Sequence, residues 1–297
     1  MPEVRTRAGD VPLIGCTTAG EIASSGPSDA SVVVAALGGD GFAVDTAVAK
    51  EASQDLRHAG ATVARRVPAG EEFPHKVLLL LTDGLAGNQQ EIVRGAYGVL
   101  GAAVPLVGGC AADDMKWTQT FQLYGDEVLT DAVVAAGIAS TAPVGIGVRH
   151  GWRRVGEPML VTASAGNRIY ALDDRPALDV YLAQIGVDEC RNGDHAALAR
   201  LALTHPLGLS RPTGGEQAAV RGIGGGDFAE RSLRCFAEVP RGALVWTMDG
   251  SKQSVLEATE AAAAVAVHTP TPGTSRNDSA IPGCTAARSA TGASPSG

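Results

Sequence analysis

The sequence predicts an α/β chain of mixed α+β character, with two domains whose mixed sheets are flanked by helices. Three observations carry that expectation. The chain has 297 residues, room for about two domains of ~150 residues each. Strand-length apolar runs alternate with stretches of helical spacing, yet Gly-rich turns also join neighbouring runs as hairpins, so a purely parallel sheet does not fit. Hydrophobic residues make up 45% and charged residues 19%, the balance of a globular chain and not of a disordered one.

The elements follow in order. Val11 to Gly15 is a short apolar strand. Ser31 to Leu37 and Gly41 to Val48 flank a Gly-Gly-Asp-Gly turn and read as a hairpin. Glu51 to Val67 has helical spacing. Val77 to Leu81 is an unbroken apolar run before Thr82-Asp83-Gly84, which fits a buried strand entering a loop. Asn88 caps a helix through Leu100, with Glu91 placed as in a capping box. Strands follow at Pro105–Val107, Thr118–Tyr124 and Glu127–Leu129. Ala132 to Val148 is uncharged but interrupted by Ser140-Thr141-Ala142-Pro143, so two strands around a turn explain it better than a membrane helix. Later come helices at Arg175–Ile185, Asp188–Leu203 and Gln253–Val267, and strands at Ala218–Ile223, Ser232–Ala237 and Ala243–Met248. The domain limits are expected at 1–172 and 173–267, and 268–297, rich in Pro, Ser, Thr and Gly, reads as a disordered tail.

Thirty-two acids against twenty-four bases leave a formal charge of −8. A phosphate-seeking surface has the opposite sign, so nucleic acid is not an expected partner, and neither is a membrane. The five cysteines are widely spaced and odd in number, which reads as reduced thiols of a cytoplasmic protein. Close ligand pairs are missing, so no metal site is expected.

Pro12 to Ile22 aligns with Pro105 to Met115 through a shared Pro-Leu-[Ile/Val]-Gly start followed by small residues. Internal duplication and chance similarity are the two readings of it. Gly15 and the pair Gly108-Gly109 each end an apolar run. Glycines there leave backbone N–H groups open to a carboxylate, or serve only as a tight strand exit. Cys16, followed by Thr17, has no histidine in its sequence neighbourhood. It reads as a packed thiol more readily than as a nucleophile. Arg221, in an apolar strand signal, could clamp a carboxylate through two parallel bonds. Gly222 to Gly226 lacks the spacing of a phosphate loop and reads as a flexible turn. Among six histidines, His205 and His150 could ligate a haem iron, though a structural role suits both.

The stretches VPLIGCTTAGEI, LLLLTDGLAGNQQEIVRGAY and PLVGGCAADDMKWTQTFQLYGDEVLTDAVVAAGI, continuing to Leu172, resemble the FIST N-terminal domain. THPLGLSRPTGGEQAAVRGIG and the strands after it resemble the FIST C-terminal domain. The resemblance implies a sensory module of signal transduction, acting beside or upstream of a histidine kinase or other signalling protein. It implies small ligands such as amino acids as inputs. Some relatives are haem proteins that sense nitric oxide, which gives a second reading with haem as cofactor. Only eleven residues precede Pro12, and the pattern dissolves after Val267, which is read as truncation or a frame change at both ends.

The function expected is therefore a cytoplasmic, non-enzymatic sensor without a cofactor, binding a small carboxylate at Gly15, Cys16, Thr17, Gly108, Gly109 and Arg221. The alternatives are a haem-based sensor using His205 or His150 and an enzyme with Cys16 as nucleophile.

Overall fold

The computed structural model describes residues 6–7, 9–23, 26–28, 30–68, 70–114, 116–186, 193–210 and 219–268. The chain divides into two units, the first running to Val144 and the second starting at Gly145.

The first unit contains strands β1 (Ile14–Cys16), β2 (Glu21–Ala23), β3 (Gly26–Ser28), β4 (Phe42–Lys50), β5 (His75–Asp83), β6 (Leu106–Ala111), β7 (Gln122–Tyr124), β8 (Glu127–Leu129) and β9 (Ala132–Ser140), with helices α1 (Leu56–Ala64) and α2 (Gln89–Leu100). Its main sheet has the order β4-β9-β5-β6, with β5 and β6 parallel and the other pairs antiparallel. The uncharged, alanine- and valine-rich β9 is buried along nearly its whole length, as a central strand covered on both faces must be. Strands β1, β7 and β8 form a separate three-stranded sheet, and β2 and β3 a two-stranded one.

Local signals set the helices. The Asp55 carboxylate accepts from the His58 N–H (2.8 Å) and starts α1. Asn88 caps α2 through Gln90 N–H (3.1 Å), while Glu91 pairs with Arg94. Helices α1 and α2 approach backbone to backbone. A β-carbon on Gly60 would stand 2.0 Å from the Ile92 carbonyl oxygen, and one on Gly95 1.9 Å from that of Arg57.

Two expectations fail here. Residues 31–38 form no strand, and Val32, Val33, Val34 and Leu37 are exposed. The expected hairpin is absent because β4 pairs instead with β9 along all nine residues. The uncharged stretch holds one strand, β9, and residues 143–150 are irregular. The two aligned sequence segments also occupy different surroundings, since β1 pairs antiparallel with β7 and β6 parallel with β5.

The second unit contains β10 (Arg153–Arg154), β11 (Met159–Ala165), β12 (Arg168–Leu172), β13 (Arg175–Pro176), β14 (Leu207–Leu209), β15 (Ala219–Arg221), β16 (Ile223–Asp227), β17 (Ser232–Cys235) and β18 (Leu244–Asp249), with α3 (Ala177–Gln184), α4 (His195–Thr204) and α5 (Lys252–His268). These nine strands make one antiparallel sheet, ordered β15-β14-β18-β11-β12-β17-β16, with β10 on β18 and β13 on β12. The two edge strands, β15 and β16, are consecutive in the chain through Gly222. The sheet must therefore curl until its edges meet, a nearly closed barrel.

Gly222 to Gly226 makes that corner, so the segment is not the flexible turn that its composition implied. A register shift falls between Ile223 and Gly225, Gly225 has φ 152°, and a β-carbon on Gly222 would reach 2.8 Å from the Phe236 ring. Glycine bulges at barrel corners serve this purpose. Against β12, β13 and β17 packs α3, whose Ala177, Leu178, Val180, Tyr181 and Leu182 are all buried, as expected for a helix apolar around its circumference. Gly145 and Gly147 let residues ahead of β10 lie on the backbone of α5. Their β-carbons would stand 1.6 and 1.8 Å from the carbonyl oxygens of Ala266 and Ala262. The expected start of the second helix at Asp188 and the tail beyond His268 lie outside the described residues.

Candidate functional site

In the first unit the structure brings two of the sequence-predicted loops together. Strand β1 ends at Cys16 and β6 at Ala111, and just beyond them the Ala112 N–H donates to the Thr17 carbonyl oxygen (3.0 Å). The glycines do not end their strands as expected. Gly15 lies within β1 opposite Leu123, and Gly108 and Gly109 lie within β6 opposite Leu80 and Leu81.

The two β6 glycines do different work. Gly108 has φ 141°, and a β-carbon there would stand 1.8 Å from the Leu80 carbonyl oxygen, so glycine is required by close strand approach. Gly109 has nothing among the described residues within 4 Å of its missing β-carbon. Among the described residues strand β6 is the last of its sheet, and residues in a parallel ladder face their partner alternately. Leu78 N–H donates to the Pro105 carbonyl (3.0 Å), which puts the odd-numbered β6 residues on the β5 side. The N–H groups of Gly108 and Cys110 therefore point to the outer edge, the edge on which Ala112 meets Thr17.

Side chains around this edge are fixed. The Thr17 N–H donates to the Phe121 carbonyl (3.0 Å), and its hydroxyl accepts from the Phe121 N–H (3.1 Å). The Thr82 hydroxyl donates to the Cys110 sulfur at 3.5 Å. Cys110 is exposed and Cys16 half-buried. Burial pushes the Cys16 thiol above its ordinary pKa, and the neighbouring Cys110 adds to the shift. A thiol so shifted is a poor nucleophile at neutral pH.

Sequence reasoning missed Asp83, the buried carboxylate at the end of β5. Its Oδ1 accepts from Leu85 N–H and the Thr120 hydroxyl, both at 2.8 Å, and its Oδ2 from Asp131 N–H at 2.8 Å. Gln122 extends the network by donating to Thr120 (3.1 Å) and accepting from Ala132 N–H (3.2 Å). An acid two residues beyond an unbroken run of five apolar strand residues was the available signal, since a buried carboxylate must find donors. Asp113 holds the loop that follows it, its carboxylate accepting from the N–H groups of Trp117, Thr118 and Gln119.

The remaining candidates lie in the second unit. The Arg221 guanidinium donates to the carbonyl oxygens of Glu238 (3.0 Å) and Val220 (3.2 Å), tying β15 to the segment after β17. His205 ends α4, with Nδ1 2.9 Å from the Thr204 hydroxyl and 3.3 Å from the Leu201 carbonyl. That arrangement leaves Nε2 as the ring nitrogen an iron would use. His150 lies in the irregular residues before β10. Among the described residues, no group of three or more His, Cys, Asp or Glu is placed to hold a metal ion.

Comparison with known proteins now decides the family. The model of the FIST N domain matches residues 1–175 and that of the FIST C domain residues 177–286. The chain belongs to the FIST family. FIST domains are associated with sensing in signal transduction. The two matches meet about thirty residues after the boundary between the structural units, so β10 to β12 fall in the FIST N match but in the second sheet. A curated relative, an uncharacterized protein of Methanocaldococcus jannaschii, is 25% identical over 216 residues, 66% of this chain and 41% of its own length. The chain thus spans about two-fifths of that relative. No solved structure matches. No helix among the described residues is long and apolar enough to cross a membrane.

Proposed function

We propose that this FIST protein is a non-enzymatic cytoplasmic sensor that binds a small carboxylate-bearing ligand and passes the event to a signalling partner such as a histidine kinase. The observation that supports it is the outer edge of β6. There the Gly108 and Cys110 N–H groups face the side on which Thr17 meets Ala112, and the space over Gly109 is open. Outward backbone donors suit a carboxylate, and glycine lets it approach the main chain. Parallel strands commonly bind ligands beyond their carboxyl ends, which is where Asp83 and Ala111 stand.

The neighbouring network supplies a route for the signal. Asp83 ties the end of β5 to Thr120 and to Asp131 at the start of β9. A ligand that favours one arrangement of these ends shifts the population toward it, in proportion to its differential affinity. A thermal-shift screen of amino acids and organic acids tests the proposal. Gly109→Val adds bulk where no atom of the described residues lies within 4 Å, so the free protein should melt unchanged while ligand stabilisation disappears. Equal stabilisation of the variant moves the site elsewhere. A haem Soret band abolished by substituting His205 or His150, with no carboxylate effect, puts the haem reading in its place.

A further inference from the structure

The second unit carries a cleft of about 310 Å³ that none of the sequence candidates lines. Its walls include Arg168, His195, Asp227, Phe228, Ser232 and Arg234. They come from β12, the first turn of α4, and the end of the β16–β17 hairpin. Gly226 forms part of the wall, and a β-carbon on it would point inward, 2.7 Å from Leu198.

The charges of the cleft are unevenly used. Arg168 pairs with Glu230 (2.5 Å) and lies 3.8 Å from Asp227. Asp227 accepts through Oδ1 from the N–H groups of Ala229 and Glu230, both at 2.9 Å. Its negative charge is therefore engaged by the turn, by Arg168 and, more weakly, by the neighbouring His195. The Arg234 guanidinium has no hydrogen bond or ion pair among the described residues. Its Nη2 lies 3.8 Å from where a β-carbon on Gly225 would stand. The His195 ring meets Phe228 edge-on at 4.7 Å.

One polar group is unaccounted for. Ser232 is 1% exposed, and its Oγ has no hydrogen-bond partner among the described residues. A buried hydroxyl without a partner calls for an explanation, and an absent ligand is a standard one. We propose that the cleft binds a phosphate group, using the uncommitted Arg234 guanidinium, the Ser232 hydroxyl and the His195 imidazole as donors. A tetrahedral phosphate offers three or more acceptor oxygens in different directions, whereas a carboxylate offers two in one plane. This site is independent of the carboxylate edge on β6 and stands or falls without it.

Calorimetric titration of the full chain at constant ionic strength is the test, with inorganic phosphate, glycerol phosphate and acetate as probes. Phosphate or its ester should bind, and acetate should bind at least about tenfold more weakly. Arg234→Gln should weaken phosphate by about tenfold or more, the loss of one charge-assisted bond. Ser232→Ala should weaken it by a smaller factor, and neither variant should lower the melting temperature. Tighter binding of the ester identifies a phosphorylated metabolite, and tighter binding of inorganic phosphate identifies the free ion. No heat at millimolar phosphate, unchanged affinity in Arg234→Gln, or acetate binding as tightly as phosphate each overturns the proposal.

Discussion

The two units build their cores from different materials. Seven of the twelve buried residues in the first core cluster are alanine. In the second only two of eighteen are, while seven are leucine, and Tyr181 and Met159 are fully buried beside them. An alanine buries little apolar area, so the first unit gains its packing by bringing backbones close. Gly60 and Gly95 do this between α1 and α2, and Gly108 does it between β5 and β6. The second unit instead wraps a curled sheet around bulky side chains. The core of the first unit should be intolerant of added atoms and that of the second of removed ones.

The largest effects test that contrast directly. Leu178→Ala empties part of the second core, where Leu178 is fully buried, and should cost about 2–5 kcal/mol. Gly95→Ala adds one methyl against a backbone oxygen that cannot swing aside, and should cost about 1–3 kcal/mol. Denaturant unfolding measures both. A neutral Gly95→Ala, gaining the usual helix advantage of alanine over glycine, breaks the close-approach account of the first unit.

The thiols sharpen the comparison at smaller cost to the protein. Cys110 sits exposed on the β6 edge, Cys16 is half-buried beside it, and Cys235 is buried in the second core. Burial pushes the Cys235 thiol up to about 12, with Arg221 opposing the shift. Alkylation mapped by mass spectrometry should modify Cys110 first, Cys16 more slowly and Cys235 last. Cys16 reacting fastest at neutral pH revives the nucleophile reading.

What the sequence made legible was local. The apolar run before Thr82, the Asn88 cap, and the late elements that became β17, β18 and α5 were readable within a dozen residues each. Ser31–Leu37 has the composition of a strand, but a strand needs a partner, and β9 was already taken by β4 on one side and β5 on the other. Barrel closure was hidden because Gly222 to Gly226 looks alike in a loose turn and in a corner, and only the pairing of β15 with β14 and β16 with β17 tells them apart. The convergence of Thr17 with Ala112 was partly visible, as a repeated motif. The cleft of the second unit was invisible, since Arg168, His195 and Arg234 are unremarkable singly and meet only in the folded unit.

The smallest expected effect concerns two carboxylates that hold loops in the same way. Asp113 in the first unit accepts from three successive backbone N–H groups, and Asp227 in the second from two. Both are held below the ordinary carboxyl pKa, chiefly by a backbone N–H, from Thr118 and Glu230 respectively, with Arg168 assisting at Asp227. For Asp113 the value falls to about 2. A depressed folded-state pKa means that the ionised form is favoured by folding. The loop's support is then complete above the ordinary carboxyl value of about 3.9 and is lost as pH falls toward the folded value. Amide resonances of Trp117, Thr118 and Gln119 should therefore hold steady through pH 4 and move only near pH 2. Asp113→Asn should remove that step while leaving the Asp227 turn untouched. Amides that titrate near pH 4 would show that Asp113 does not hold the loop, and the Ala112–Thr17 edge beside it would lose its anchor.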